Sequence, residues 1–261
     1  MFKKLFYSSM YLYSSTLIHG VISVFVIAVL ARSLTPESFG IVAIAQVLIQ
    51  FNIAAGRSTF GKYIIRSSEK NLKNACNSSF FLNIVIASIY IAIIILFSDK
   101  ISNYYKAEEL KYVILILCGS FFLEQLYVVP ISLLEKNLKF KSISYLKVLT
   151  NIISSSIAVY MALSGYGIYS LVFPNLIKSF LFLIGIYKLS KWRPNLYVNI
   201  SDCKDILRFC LPILGSELLA AVNRNGDRLF LGKFLGLSVL GVYNISVNGS
   251  RIIRKSLIKT V

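Results

Sequence analysis

Glu217, Arg224, Asp227 and Arg228 place two carboxylates and two guanidinium groups in one short, mostly apolar stretch. At roughly 100° per residue on a helix they fall within a narrow arc, with Ala220 and Ala221 between them. Charged side chains are costly in lipid and usually face a bundle interior or a watery cavity. Arginine there can hold phosphate oxygens bidentately, while neighbouring carboxylates temper its charge. A competing reading makes residues 223–228 an exposed loop between two shorter segments, because Gly226 and the asparagines form turns readily. The embedded stripe is the expectation carried forward, since the cluster lies far from the inner end of its apolar run.

Fainter polar stripes accompany it. Ser15, His19 and Ser23 recur at four-residue spacing, as do Gln46 and Gln50 ahead of Arg57, and Asn244 and Asn248 ahead of Arg251. The expected arrangement is one polar cavity to which all these stripes turn. Its substrate-binding candidates are Arg224, Asp227, Arg228, Arg251, Glu217, Gln50, Arg57, His19 and Lys178. For any one Ser, Gln or Asn, an interhelical hydrogen bond is the plainer role. Glu124, with Ser120 and Tyr127 on its face, is a candidate for ion or proton coupling, or a carboxyl kept neutral by burial. Lys178 follows Pro174 and Asn175 and is suited either to binding phosphate or to snorkelling along its stem to the interface. Cys76, Cys118, Cys203 and Cys210 form no CxxC, and with a single histidine they predict no metal site and no cofactor.

The elements that position these residues are membrane helices. Hydrophobic residues make up 56% of the 261, in blocks of about twenty, the length that crosses a hydrocarbon core of roughly 30 Å. Spans are expected at 11–31, 39–56, 78–97, 112–134, 145–163, 168–188, 209–235 and 238–257. Helices satisfy their own backbone in lipid, and runs this long without strict alternation exclude barrel strands. Lys3 and Lys4 precede a run that reaches spanning length with no cleavage pattern, so it reads as the first span, not a signal peptide.

The formal net charge of +17 would suit nucleic acid, but its distribution excludes that partner. The amino terminus and even-numbered loops carry most of the cations, among them Arg57, Lys62, Arg66, Lys136, Lys139, Lys147, Lys188 and Lys191. The other loops hold Arg32, Lys100, Lys106, Lys111 and Lys233. By the positive-inside rule the amino terminus is cytoplasmic.

Residues 31–40 echo residues 232–241 at an offset of 201: a base, a leucine two residues on and a helix-starting glycine coincide. Six helices lie between the copies, which predicts a parallel repeat. The fold expected is an all-α polytopic bundle, with a six-helix lobe over 1–200 and the first two helices of a second lobe over 201–261. On that reading the chain is the amino-terminal part of a longer protein.

Several motifs carry a resemblance: residues 30–40 (LARSLTPESFG), 129–141 (VPISLLEKNLKFK), 165–171 (GYGIYSL), 191–196 (KWRPNL) and 227–236 (DRLFLGKFLG). Together they resemble the polysaccharide-transporter (O-antigen flippase) branch of the multidrug/oligosaccharidyl-lipid/polysaccharide exporter superfamily. The resemblance covers essentially the whole chain. It implies two six-helix lobes with spans one, two, seven and eight around a central cavity, in the bacterial cytoplasmic membrane. It implies lipid-linked oligosaccharide substrates for O-antigen, lipopolysaccharide, capsule or exopolysaccharide synthesis. It also implies working partners, the polysaccharide polymerase and glycosyltransferases, and no enzymatic step of its own.

Two other functions compete with this reading. A drug or metabolite antiporter of the same superfamily would favour a carboxylate in the first lobe's cavity, where span one has none. A membrane-embedded glycosyltransferase would need a catalytic carboxylate in a sizeable loop. Glu37, Asp99, Glu108 and Glu109 lie in short loops among lysines.

Overall fold

The computed structural model describes residues 2–55, 59–195 and 200–258, and the side-chain surroundings of 14–50, 59–69, 71–195 and 202–250. All regular structure among them is helical: α1 (Phe2–Ser33), α2 (Pro36–Ala55), α3 (Gly61–Arg66), α4 (Leu72–Tyr105), α5 (Glu109–Leu126), α6 (Val128–Lys136), α7 (Phe140–Leu163), α8 (Tyr169–Ser190), α9 (Ile200–Phe234) and α10 (Leu237–Ile258). A 3₁₀ turn at Glu69–Asn71 leads into α4.

Four stretches are long and apolar enough to cross a bilayer: Ser14–Ser33, α4, α7 and α8. Helices α5 and α6 together make a fifth, bent by 41°. Outer faces bear large apolar side chains such as Leu96, Phe97, Phe180 and Phe230, the surface expected against lipid. The chain is therefore an all-α polytopic membrane bundle. The remaining expected spans are helices at the expected places, α2, α9 and α10. The apolar part of α2 is short (Pro36–Gln50), and α9 is interrupted by its charges. Continuous helix through Asn223–Arg228 excludes the loop reading of that segment.

Helix α2 is the centre of the packing, touching α10, α9 and α5. Ile41, Val42, Ala43, Ile44 and Ala45 are almost wholly buried, joined by Leu110, Ile114, Phe121, Val172 and Leu240. Helix α1 lies against α7, and α7 and α5 both pack on α8.

The crossing of α2 and α10 is reciprocal. A methyl group on Gly40 would overlap the Leu237 carbonyl, and one on Gly241 would overlap the Pro36 carbonyl. The 201-residue echo carries one close approach onto the other, Gly40 answering to Gly241 and Pro36 to Leu237. Only glycine lets two helix backbones meet this closely. The carboxyl-terminal end of α9 is tied to α4 as well. Lys233 Nζ donates to the Tyr104 carbonyl at 2.9 Å and sits 3.6 Å from the centre of the Tyr104 ring, while Tyr105 Oη donates to the Leu229 carbonyl at 3.3 Å.

The bend between α5 and α6 has a cause in sequence. Pro130 carries no N–H for the Leu126 carbonyl one turn earlier. Tyr187 Oη, from α8, donates to that oxygen at 2.9 Å, and Asn83 Nδ2, from α4, donates to the Gln125 carbonyl at 3.0 Å. Further along the same motif, Lys136 Nζ donates to the carbonyls of Ile64 (3.3 Å), Ile65 (3.0 Å) and Ser67, closing the end of α3. Beyond α8, Trp192 packs edge-on to Phe80 at 5.3 Å, in a cluster with Ile64, Cys76 and Val129. The turn from α7 to α8 is made by Gly165 (φ 81°) and Gly167 (φ 56°), a left-handed backbone that favours glycine.

Candidate functional site

Seven of the nine binding candidates have described side chains, and with Glu124 these fall into two groups in space. The first lies on α9. Ala221, Asn225, Arg228 and Gly232 are buried at spacings of four, three and four, one stripe of the helix laid against α2 and α10. Arg228 is only 2% exposed, the largest fully buried side chain described. Its guanidinium reaches Asn248 Oδ1 at 3.5 Å, and Asn248 Nδ2 donates to Asn244 Oδ1 at 3.2 Å. Asn225, also buried, donates to the Ala221 carbonyl at 3.1 Å. A cation and three amides thus stand together where α9 meets α10.

On the flank of that stripe the charges are open. Glu217 lies 3.8 Å from Arg224 and 3.9 Å from Lys62 of α3. The Arg224 side chain is 59% exposed, so this pair is a weak, screened one. Asp227 is exposed too; its carboxylate accepts from the Tyr243 hydroxyl and, at 2.9 Å, from the Arg228 backbone N–H. Arg224 and Arg228 therefore share a helix face by angle but differ in surroundings.

The second group lines a half-open recess between α1, α2, α5, α7 and α8, with α6 at one edge. One cavity of about 280 Å³ is lined by Gln46, Gln50, Ser120, Glu124 and Asn175 with Ile49, Leu117 and Phe121. A neighbouring one of about 260 Å³ is lined by His19, Glu124, Lys147, Thr150, Asn175, Lys178 and Ser179, together with Tyr127, Ile131 and Phe182. Glu124 and Asn175 belong to both, so the two form adjoining parts of one polar chamber. Ser179 Oγ donates to Glu124 Oε1 at 3.3 Å, and His19 Nδ1 lies 3.2 Å from Ser23 Oγ. Pro174 shapes the α8 wall, where its carbonyl accepts from Ser154 Oγ at 3.0 Å.

The structure thus brings His19, Gln50, Glu124 and Lys178 together, and Glu217, Arg224, Asp227 and Arg228 together, without joining the two sets. Arg57 lies outside the described residues, as does the side chain of Arg251. The chamber also contains Lys147 and Thr150, which sequence reasoning missed. Lys147 was counted with a loop, yet α7 begins at Phe140 and places it two turns inside. The polar spacing Lys147, Thr150, Asn151 and Ser154 was a signal that could have found that wall. Among the described residues no group of His, Cys, Asp and Glu is placed to hold a metal ion.

Apolar helices around a buried arginine and a half-open polar chamber with ionisable walls define a multi-pass membrane protein with charged groups in its interior. The chain belongs to the family described as polysaccharide biosynthesis protein, whose model matches residues 29–261. It is 26% identical over 218 residues to the succinoglycan biosynthesis transport protein ExoT of Rhizobium meliloti (strain 1021), covering 84% of this chain and 44% of that protein. It is 27% identical over 192 residues to the teichuronic acid biosynthesis protein TuaB of Bacillus subtilis (strain 168), covering 72% of this chain and 39% of that one. The chain spans less than half the length of these relatives. No solved structure matches it.

Proposed function

We propose that the chain serves in a flippase that carries polyprenyl-diphosphate-linked oligosaccharides across the bacterial cytoplasmic membrane for surface polysaccharide synthesis. Its amino terminus is cytoplasmic, and it acts beside the polymerase and glycosyltransferases without forming covalent bonds itself. The family and both relatives support the pathway, and the name of one of them, a succinoglycan biosynthesis transport protein, supports transport. The observation that carries the reading is Arg228, a cation buried among amides in a helix of the membrane bundle. Burying such a charge is costly, and charges kept inside a membrane bundle mark substrate or ion paths. A diphosphate headgroup meets the guanidinium by bidentate, charge-assisted hydrogen bonds, and amides beside it suit sugar hydroxyls.

Movement follows from two lobes rocking about a shared axis, so that a cavity beside α9 opens to one side and then the other. The reciprocal contacts of Gly40 and Gly241 support a parallel repeat, with 1–200 and 201–261 as its two parts. In the transporter of the living cell, Arg228→Ala or Arg224→Ala should abolish surface polysaccharide while the protein still inserts into the membrane. Normal polymer from both variants, at normal protein levels, removes the binding role given to α9.

A further inference from the structure

We propose that the half-open chamber between α1, α2, α5, α7 and α8 is a second anion site, separate from Arg228, which takes the diphosphate of a lipid-linked substrate. The inference rests on the flippase reading and adds a station to it. Lys147 of α7, Lys178 of α8 and His19 of α1 approach one space from three helices, and Thr150, Asn175 and Ser179 supply further hydrogen-bonding groups. The adjoining part, with Gln46, Gln50 and Ser120, is neutral apart from the shared Glu124.

Size and charge agree with that occupant. Two lysines outweigh one carboxylate, so the chamber favours an anion over a cation. At about 260 Å³ the basic part has room for a diphosphate, and the amide-rich part of about 280 Å³ has room for a first sugar ring. Lysine serves as a point-charge phosphate ligand, and amides pair with hydroxyls. Glu124, between the two parts and held by Ser179, opposes the anion and keeps its binding reversible. Polar groups inside a membrane bundle mark a path for a polar ligand.

The test uses the purified 261-residue chain in detergent, with farnesyl diphosphate and inorganic pyrophosphate as probes in calorimetric titrations. Lys178→Met and Lys147→Met should each weaken binding roughly tenfold or more, the loss of one charge-assisted contact. Lys178→Arg should restore most of it, and Glu124→Gln should tighten it. These opposite signs separate a binding role from a loss of folding. Tighter binding of farnesyl diphosphate than of pyrophosphate assigns the site to the lipid-borne anion; equal affinity reassigns it to free diphosphate and overturns the proposal as stated. No binding, or binding unchanged in both lysine variants, overturns it as well. Arg228→Ala keeps the two readings apart. If that variant loses surface polymer while Lys178→Met and Lys147→Met retain it, the chamber proposal falls and the flippase reading stands.

Discussion

Gly40 and Gly241 each lie beneath the carbonyl that starts the other's helical turn, Leu237 above the first and Pro36 above the second. Each carbonyl belongs to the residue four positions before the opposing glycine. The symmetry in space repeats the symmetry in numbering.

Gly40→Ala and Gly241→Ala should therefore cost similar amounts, about 1–3 kcal/mol each, because a methyl group meets backbone that cannot step aside. The double variant should cost less than the sum, since the first substitution already parts the helices. Thermal unfolding in detergent reads both. A tolerated Gly241→Ala beside a damaging Gly40→Ala contradicts the reciprocal crossing.

Tyr187→Phe removes the donor that serves the Leu126 carbonyl at the bend. A buried acceptor left unpaired costs about 1–3 kcal/mol. In a Pro130→Ala background the penalty should shrink, because the new backbone N–H can take the same oxygen. A double-mutant cycle on melting temperature measures this; an unchanged penalty would show that the bend does not arise from the proline.

Lys136→Met should loosen α3 while leaving the spans in place. The ammonium closes three carbonyls at the end of that short helix, and a charged hydrogen bond contributes about 1.5–3 kcal/mol. Hydrogen exchange at Gly61–Ser67 should rise by at least tenfold, with α4 and α5 unaffected. Equal protection in wild type and variant refutes the cap.

Two glycines should respond in opposite directions to alanine. Gly165 has φ 81°, so Gly165→Ala should destabilise by about 1–2 kcal/mol. Gly215 sits inside α9 with open space around its missing side chain, so Gly215→Ala should stabilise by up to about 1 kcal/mol. Melting temperatures that move together would contradict this account.

Much of the architecture was legible in the sequence because a bilayer imposes it. Twenty-residue apolar runs place helices within a few residues, and the Gly40/Gly241 echo predicts a parallel repeat but not the close crossing those glycines make. Angular position on a single helix was legible as well, which is why Glu217, Arg224, Asp227 and Arg228 were singled out together. Burial was not legible, because it depends on which neighbour covers each turn. Arg228 is covered by α2 and α10, whereas Arg224, one turn away, is left open. Lys147 was misplaced for a related reason: a basic residue near a span's inner end reads as loop until the helix start at Phe140 is known. The partition of polar stripes into two sites depends on which helices become neighbours, and a stripe on one helix does not encode that.

The fastening of α9 to α4 uses backbone oxygens of Tyr104 and Leu229 as acceptors. A peptide carbonyl gains no proton across the physiological range, so acid on one side of the bilayer does not neutralise these acceptors. A joint that closed on aspartate or glutamate would weaken as a proton gradient built up. Here the join keeps its acceptors whichever face of the membrane is acidified.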